Sequence, residues 1–284
     1  MSRFLILAVA PLVLAQVPFA QVLFAQVDPH EIVVRSIKAD DESAKLARNY
    51  TYQVHDIHRE LDGKGKVKST ETETTDVLFL GGKPYRHLIQ KNDKPLSPSE
   101  EAKETKKLDK AVAEASRLSQ EELDRRYAEF EKKRAEEREQ LKFIPDAFDF
   151  KLLREEPLNG RPAYVLAATP RRDYRGKHHE FLTKMQGTLW IDKEYYRWVK
   201  VEAETLDTIS FGLFIARLAK GTHMQFEAAR VNDEIWLPKR ASFTGSARVA
   251  LLKNFNVSEE VSFSNYRKFQ TDSKIVSTSA DSTH

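Results

Sequence analysis

The stretch GTLWIDKEYYRWVKVEAE, Gly187 to Glu204, reads as two strands joined by a tight turn. Side chains two apart share one face of a strand, so Leu189 and Ile191 point together, as do Val199, Val201 and Ala203, while Lys200, Glu202 and Glu204 point the other way. Asp192, Lys193 and Glu194 carry the turn without the Asn-Gly or Asp-Gly pair of the shortest hairpins. This is half of an antiparallel sheet with one apolar and one wet face. The alternation shows that the apolar face must be covered and leaves open whether a protein layer or a ligand covers it.

The same period of two recurs on both sides of this hairpin. Tyr50, Tyr52 and Val54 share a face; DGKGK at Asp62 to Lys66 turns the chain into KVKSTETETTDVLFL, which ends at Gly81-Gly82 before PYRHLIQK. Further on, Phe148, Phe150 and Leu152 alternate with polar positions, Asn159-Gly160 makes a turn, and Tyr164 and Leu166 share a face. HMQFEAARV, EIWLPKRASF and NFNVSEEVSFSNYRKF complete about ten strands, nearly all consistent with pairing between chain neighbours. Two helical regions interrupt the pattern. After Asp28-Pro29, a cap and first-turn proline, Ile32, Val33 and Ile37 recur at helical spacing, with Ala44 and Leu46 as possible continuations. Between Ser97 and Phe143 the composition shifts: the 43 residues from Glu100 to Lys142 hold twelve basic and thirteen acidic side chains. Ser97-Pro98-Ser99-Glu100 and Ser119-Gln120-Glu121-Glu122 are two capping boxes, and they predict a helical hairpin with thin apolar stripes at Leu108, Val112 and Ala115 and at Leu123, Tyr127 and Phe130.

The fold class expected is therefore mainly β with α additions: one antiparallel sheet domain over residues 28–269, an N-terminal helix, and an inserted charged hairpin at 97–143. QTDSKIVSTSADSTH, residues 270–284, is poor in large apolar side chains and reads as a disordered tail. With 46 basic against 43 acidic residues interspersed along 284 positions, no dense cationic field exists to neutralise a phosphate backbone, so nucleic acid is not an expected partner. The first residues carry Arg3, an apolar run from Phe4 to Ala15, and Ala-Gln-Val three times before Asp28. They read as a signal peptide over residues 1–25, removed on export to the periplasm, with cleavage after Ala25 or Ala15; an uncleaved anchor is the competing reading. The chain has no cysteine, so neither disulfides nor a lipid-accepting thiol contribute.

No phosphate-binding glycine loop, nucleophile elbow, HExxH or paired CxxC occurs, and no cofactor is implied. His55 and His58 lie three apart in a strand and face opposite sides, which argues against one shared metal ion. RRDYRGKHHEFLTKMQ, residues 171–186, reads as a polar loop; its cations Arg171, Arg172, Arg175 and Lys177 suit either solvent or lipid headgroups. In SFGLFIARLAKG, Ser210 to Gly221, the residues Phe211, Phe214, Ile215 and Leu218 have the spacing of one helical face, which predicts either a short helix plugging the core or an apolar lip at a cavity mouth.

The order of these elements, with G-x-L-W-I-D at Gly187 to Asp192, V-x-V-E at Val199 to Glu202 and V-N-D-x-x-W-L-P-K-R at Val231 to Arg240, resembles the LolA-like superfamily, the outer-membrane lipoprotein-sorting proteins and their relatives LolB and RseB. The likeness runs from about Asp28 to Phe269, and the charged hairpin departs from the plain carrier pattern. The resemblance implies a strongly curved sheet forming an incomplete β-barrel, whose concave apolar face is covered by helices and holds acyl chains. On that reading the lining is Tyr52, Val54, Phe79, Phe150, Leu152, Tyr164, Leu166, Leu189, Ile191, Val199, Val201, Phe211, Phe214 and Ile215. The partners would be lipid acyl chains or lipoproteins, with transient membrane contact and an envelope protein docking on the 97–143 hairpin. A buried methylene contributes about 0.8 kcal/mol, so a sixteen-carbon chain gains on the order of 10 kcal/mol over water. A bilayer offers the same gain, so a carrier needs a loosely packed cavity rather than a tight one. A periplasmic sensor on the same fold and a hydrolase with an unrecognised site are the alternative functions.

Overall fold

A computed structural model describes residues 27–47, 50–211, 216–249 and 253–268; the expected signal peptide, the tail and residues 212–215 fall outside them. The chain opens with helix α1 (Pro29–Ala47), followed by β1 (Tyr50–Leu61), β2 (Val67–Leu80), β3 (Lys83–Lys91) and the short β4 (Lys94–Pro95). Helices α2 (Pro98–Ser116) and α3 (Gln120–Glu139), a 3-10 turn (Gln140–Phe143) and α4 (Ile144–Ala147) precede β5 (Phe148–Leu158) and β6 (Arg161–Pro170). Then come α5 (His179–Leu182), β7 (Met185–Asp192), β8 (Trp198–Thr205), β9 (Ile209–Phe211), β10 (Ala216–Leu218), β11 (His223–Val231), β12 (Ile235–Val249) and β13 (Lys253–Lys268).

These strands form one antiparallel sheet in the order β4-β3-β2-β1-β13-β12-β11-β8-β7-β6-β5, with β10 joined to β12 and β9 to β10. Chain neighbours pair as expected, with three departures, one of them the β10–β12 pair. The first long strand pairs with the last, Val54 opposite Phe263, and β8 pairs with β11 because the β9–β10 hairpin is set aside between them. The sheet does not close: β4 and β5 are its ends, and the chain that joins them is the helical hairpin. Curvature follows from α1, which touches both β5 and β12 although five strand steps separate them. The sheet wraps around this helix.

The packing under α1 answers the question raised by the hairpin at Gly187. Ile32, Val33 and Ile37 of α1 are buried against Tyr164 and Leu166 of β6 and Leu189 and Ile191 of β7, with Phe150, Leu152, Trp198 and Val201 at the margin. That face is covered by protein. Ser36 lies in the same buried stripe and donates its hydroxyl to the Val33 carbonyl, which satisfies the one buried polar side chain among those described in α1. Gly187 is required by a close strand approach: a Cβ there would stand 2.5 Å from the Glu202 carbonyl oxygen.

Several sequence expectations change. Between Trp190 and Ile191 the register slips, so Trp198 lies opposite Ile191 and Val201 opposite Leu189. The bulge takes Val199, which is buried yet stands outside the α1 cluster, and the alternation of Val199 with Val201 fails for that reason. Asp192 is no solvated turn residue: it is fully buried, accepts the backbone N–H groups of Glu194 and Tyr195, and pairs with Arg161 at 2.7 Å. The described residues of Ser210 to Gly221 are not helical. Ile209–Phe211 and Ala216–Leu218 are strands, and β10 pairs with the Ala247–Val249 end of β12, which extends beyond its β11 partner at Thr244 and needs backbone hydrogen bonds. The loop after Pro170 is partly ordered by Leu182 of α5, which is buried, and by Tyr174 and Phe181 packed on Ala147, Phe148 and Ala168. In α2 the stripe runs through Leu108, Ala111 and Ala115 and continues to Leu118 just past the helix, while Val112 is exposed. Ala44 and Leu46 lie where side chains are not described.

Candidate functional site

The helical hairpin makes a second, looser cover. Its first cap is a complete box: Ser97 Oγ accepts the Glu100 N–H at 3.4 Å, and Glu100 Oε2 accepts the Ser97 N–H at 3.1 Å. The second is half a box, Ser119 Oγ accepting the Glu122 N–H at 3.2 Å. Neither helix contains a buried residue. Both are seated by the β2–β3 turn, where Gly81 and Gly82 take φ of 56° and 82°. A Cβ on Gly82 would lie 3.1 Å from the Leu123 carbonyl oxygen, so glycine serves both the left-handed turn and the approach of α3. From this seat Phe79 of β2 meets Tyr127 and Phe130 of α3 edge-on, with ring centroids 6.3 and 5.9 Å away.

Between α3 and the sheet lies a cavity of about 330 Å³. Its floor is Tyr50 and Tyr52 of β1, Val77 and Phe79 of β2, and Tyr266 of β13. Leu237 and Pro238 of β12 and Pro84 of β3 close two sides, and Phe130, Arg134 and Glu137 of α3 form the remaining wall. The aromatic rings are arranged in series, Tyr52 to Tyr266 at 5.4 Å, Tyr52 to Phe263 at 6.1 Å and Tyr50 to Tyr266 at 6.3 Å. Two hydroxyls are anchored away from the space they border: Tyr266 donates to the Pro238 carbonyl at 2.6 Å, and Tyr50 donates to Glu234 and accepts from Asn232 Nδ2. Burial raises the pKa of the Tyr266 and Tyr52 phenols, Arg134 and Arg86 offsetting part of the rise at Tyr52, so both rings are neutral at any physiological pH. The result is an aromatic hollow with one cation and one carboxylate, Arg134 and Glu137, in its helical wall. Arg134 lies 5.7 Å from the Phe130 ring centre and makes no ion pair among the described residues.

The residues expected to line a ligand site divide into two groups. Tyr52 and Phe79 border the cavity. Phe150, Leu152, Tyr164, Leu166, Leu189, Ile191 and Val201 pack on or beside α1. Val54 is buried on β1, Phe211 stands in β9, and Phe214 and Ile215 lie outside the described residues. Tyr266, Tyr50 and Leu237 were missed because only the pairing of the first strand with the last brings them together; Phe130 was visible as part of the α3 stripe. His55 and His58 take opposite faces, His55 beside Thr74 and Asp93, His58 beside Glu259. A larger trough, about 580 Å³, crosses β6, β7, β8, β11 and β12 on the face away from α1, lined by polar residues such as Gln186, Glu202 and Gln225. It offers no apolar surface of comparable extent.

No family model and no curated protein matches this sequence. Solved structures do match. An outer-membrane lipoprotein-sorting protein domain from Vibrio parahaemolyticus is 15% identical, with a TM-score of 0.34 over 86% of this chain and 95% of that one. A LolA superfamily protein from Nitrosomonas europaea is 12% identical, with a TM-score of 0.30 over 86% and 94%. MucB in the Pseudomonas aeruginosa MucA/MucB complex is 13% identical, with a TM-score of 0.23 over 85% and 99%. The chain is thus similar, over most of its length, to LolA superfamily proteins and to MucB.

Proposed function

We propose that this protein is a binding protein of the envelope, without catalytic activity, that holds an acyl chain, free or as part of a lipoprotein, between α3 and the aromatic floor of β1, β2 and β13. One observation carries the reading: the cavity of about 330 Å³ is walled by aromatic and aliphatic side chains, a size and lining suited to a small apolar ligand. Its cover is a helix with no buried residue, which supports entry without unfolding of the sheet. Arg134 would meet a carboxylate or phosphate at the head of the chain. Export fits the same reading, the apolar N-terminus being removed and the remainder working in the periplasm.

Mass spectrometry of an organic extract of the exported protein is expected to show a bound lipid, and its intact mass to lack residues 1–25 or 1–15, the two cleavage sites expected from the sequence. With a fluorescent fatty acid, Tyr52→Glu is expected to weaken binding at least tenfold, because a carboxylate in an apolar hollow is strongly disfavoured. Thr51→Glu, one position along the same strand, is the control. An empty extract together with a wild type that never binds the probe overturns the reading.

A second function is supported by the outer surface of the hairpin, where the charges are mixed and the apolar residues few: a protein partner docking on α2 and α3, as in a sensor. Capture of a protein that is lost on deletion of Pro98 to Lys132, with no lipid in the extract, favours it.

A further inference from the structure

The two ends of the sheet differ in how their charges are used. At the end where β7 turns into β8 and β11 into β12, four cations are matched, Arg161 with Asp192 and Glu194, Lys193 with Glu155, Arg230 with Asp233 and Lys268 with Glu234, while Lys83 and Lys239 are exposed and make no ion pair among the described residues. At the other end β1 and β6 finish and β11 begins. There the turn after β1 carries Lys64 and Lys66, the start of β2 carries Lys68, the loop after β6 carries Arg172, Arg175 and Lys177, and Lys220 precedes β11. All seven are exposed, and none makes an ion pair among the described residues. Acids are fewer there: Glu180 in the loop after β6 is exposed, and three others have local partners. Asp62 accepts the N–H groups of Lys64 and Lys66, Asp207 accepts that of Thr208, and Asp173 lies 3.7 Å from Arg171.

We infer that this end of the sheet is a docking surface for an anionic lipid bilayer. The inference goes beyond the acyl-chain cavity and does not depend on it, since the cavity lies toward the opposite end. Three features select the partner. The cations sit on turns six strand steps apart in the sheet, about 30 Å measured along it, so they do not converge on a small anion and suit an extended charged surface. The loop that carries three of them holds its shape: Arg175 Nη1 donates to the carbonyls of Arg172 and Tyr174, and the Tyr174 hydroxyl to that of Lys177. The aromatic rings of that loop, Tyr174 and Phe181, are packed inward on the Phe148 cluster, which leaves no ring for a nucleic-acid base to stack on. A membrane rather than a nucleic acid is therefore the surface this array fits.

Vesicles of phosphatidylcholine with and without phosphatidylglycerol test it by co-sedimentation. The quantity read is the affinity for anionic over neutral vesicles, which removes any contribution of an apolar N-terminus. A Lys or Arg near an anionic surface strengthens binding about fivefold, so Lys66→Glu with Arg172→Glu is expected to lower that ratio at least tenfold, and salt to lower it in the wild type. Lys83→Glu with Lys239→Glu, the same charge change at the opposite end, is expected to leave it within twofold. Circular dichroism melts confirm that both double variants are folded. Equal losses in the two variants, equal binding to neutral vesicles, no sedimentation at all, or tighter binding of duplex DNA at the same phosphate and salt concentration overturns the inference.

Discussion

One sheet carries two covers of opposite quality. Under α1, apolar residues of helix and strand interdigitate: Ile32 and Val33 are fully buried, as are Leu166 and Ile191 facing them. Under α3, contact is made by a row of partly exposed side chains, and a hollow of about 330 Å³ remains. Both helices carry an apolar stripe, thin in α3, and the difference lies in what each presents. α1 offers branched aliphatic residues to a face of matching volume, whereas α3 offers Tyr127 and Phe130 to other aromatic rings, whose edge-on packing leaves gaps. A dry joint holds the fold, and a loose one can exchange its contents.

The comparison breaks most directly at Ile191. Truncating a fully buried aliphatic side chain typically costs about 2 to 5 kcal/mol, depending on how far the site relaxes. Ile191→Ala is therefore expected to lower the unfolding free energy by that amount in urea titrations, while Phe130→Ala, in the cover of the cavity, is expected to cost less than about 2 kcal/mol, since its neighbours already border open space. If Phe130→Ala is as damaging as Ile191→Ala, the two covers are equivalent and the hollow is part of the core.

Much of this division was legible in the sequence. The apolar alternation of Leu189 with Ile191 and of Tyr164 with Leu166, the helical spacing of Ile32, Val33 and Ile37, and the cap at Ser97 are local signals, and each element formed where its period placed it. Val199 was misread because a bulge adds one residue to the strand and leaves no trace in composition. The described ends of the segment from Ser210 are strands where a helix was expected, because a short apolar run satisfies a helical and a strand period alike; for Ala216–Leu218 the free end of β12 settles the choice, and that end is a property of register. The cavity was the least legible feature. Tyr50, Tyr52 and Tyr266 meet because β1 pairs with β13, more than two hundred residues later, and no local pattern encodes that pairing.

Gly82 sharpens the comparison at intermediate size. Its φ of 82° is one that side chains rarely adopt, and a Cβ would press on the α3 backbone at 3.1 and 3.2 Å. Gly82→Ala is expected to cost about 1 to 3 kcal/mol and to move α3 off the sheet, so that binding of the fluorescent fatty acid weakens while the α1 side keeps its amide protection in hydrogen exchange. Loss of protection across α1 as well would show that the two covers respond as one unit.

The smallest effect is expected at Ser97. Its hydroxyl accepts the Glu100 N–H and donates to Glu100 Oε2 at 2.6 Å, and loss of such a cap costs a helix about 1 kcal/mol. Because α2 has no buried residue to tie it to the sheet, Ser97→Ala should appear as faster amide exchange in the first turns of α2, with the global melting temperature almost unmoved. The pH dependence has a definite sign. The Ser97 hydroxyl and N–H hold the Glu100 carboxyl below its ordinary value of 4.5, so the carboxylate half of the cap contributes fully above that value and is lost as the pH falls through the lowered one, while the bond from the Glu100 N–H to the Ser97 hydroxyl remains. Exchange in the wild-type first turn, corrected for its intrinsic rate, should therefore move part of the way towards that of Ser97→Ala in acid and be furthest from it near neutrality. A melting temperature that drops with the substitution while α2 exchange stays unchanged would mean that the hairpin unfolds only with the sheet, and the loose cover would then be as cooperative as the dry one.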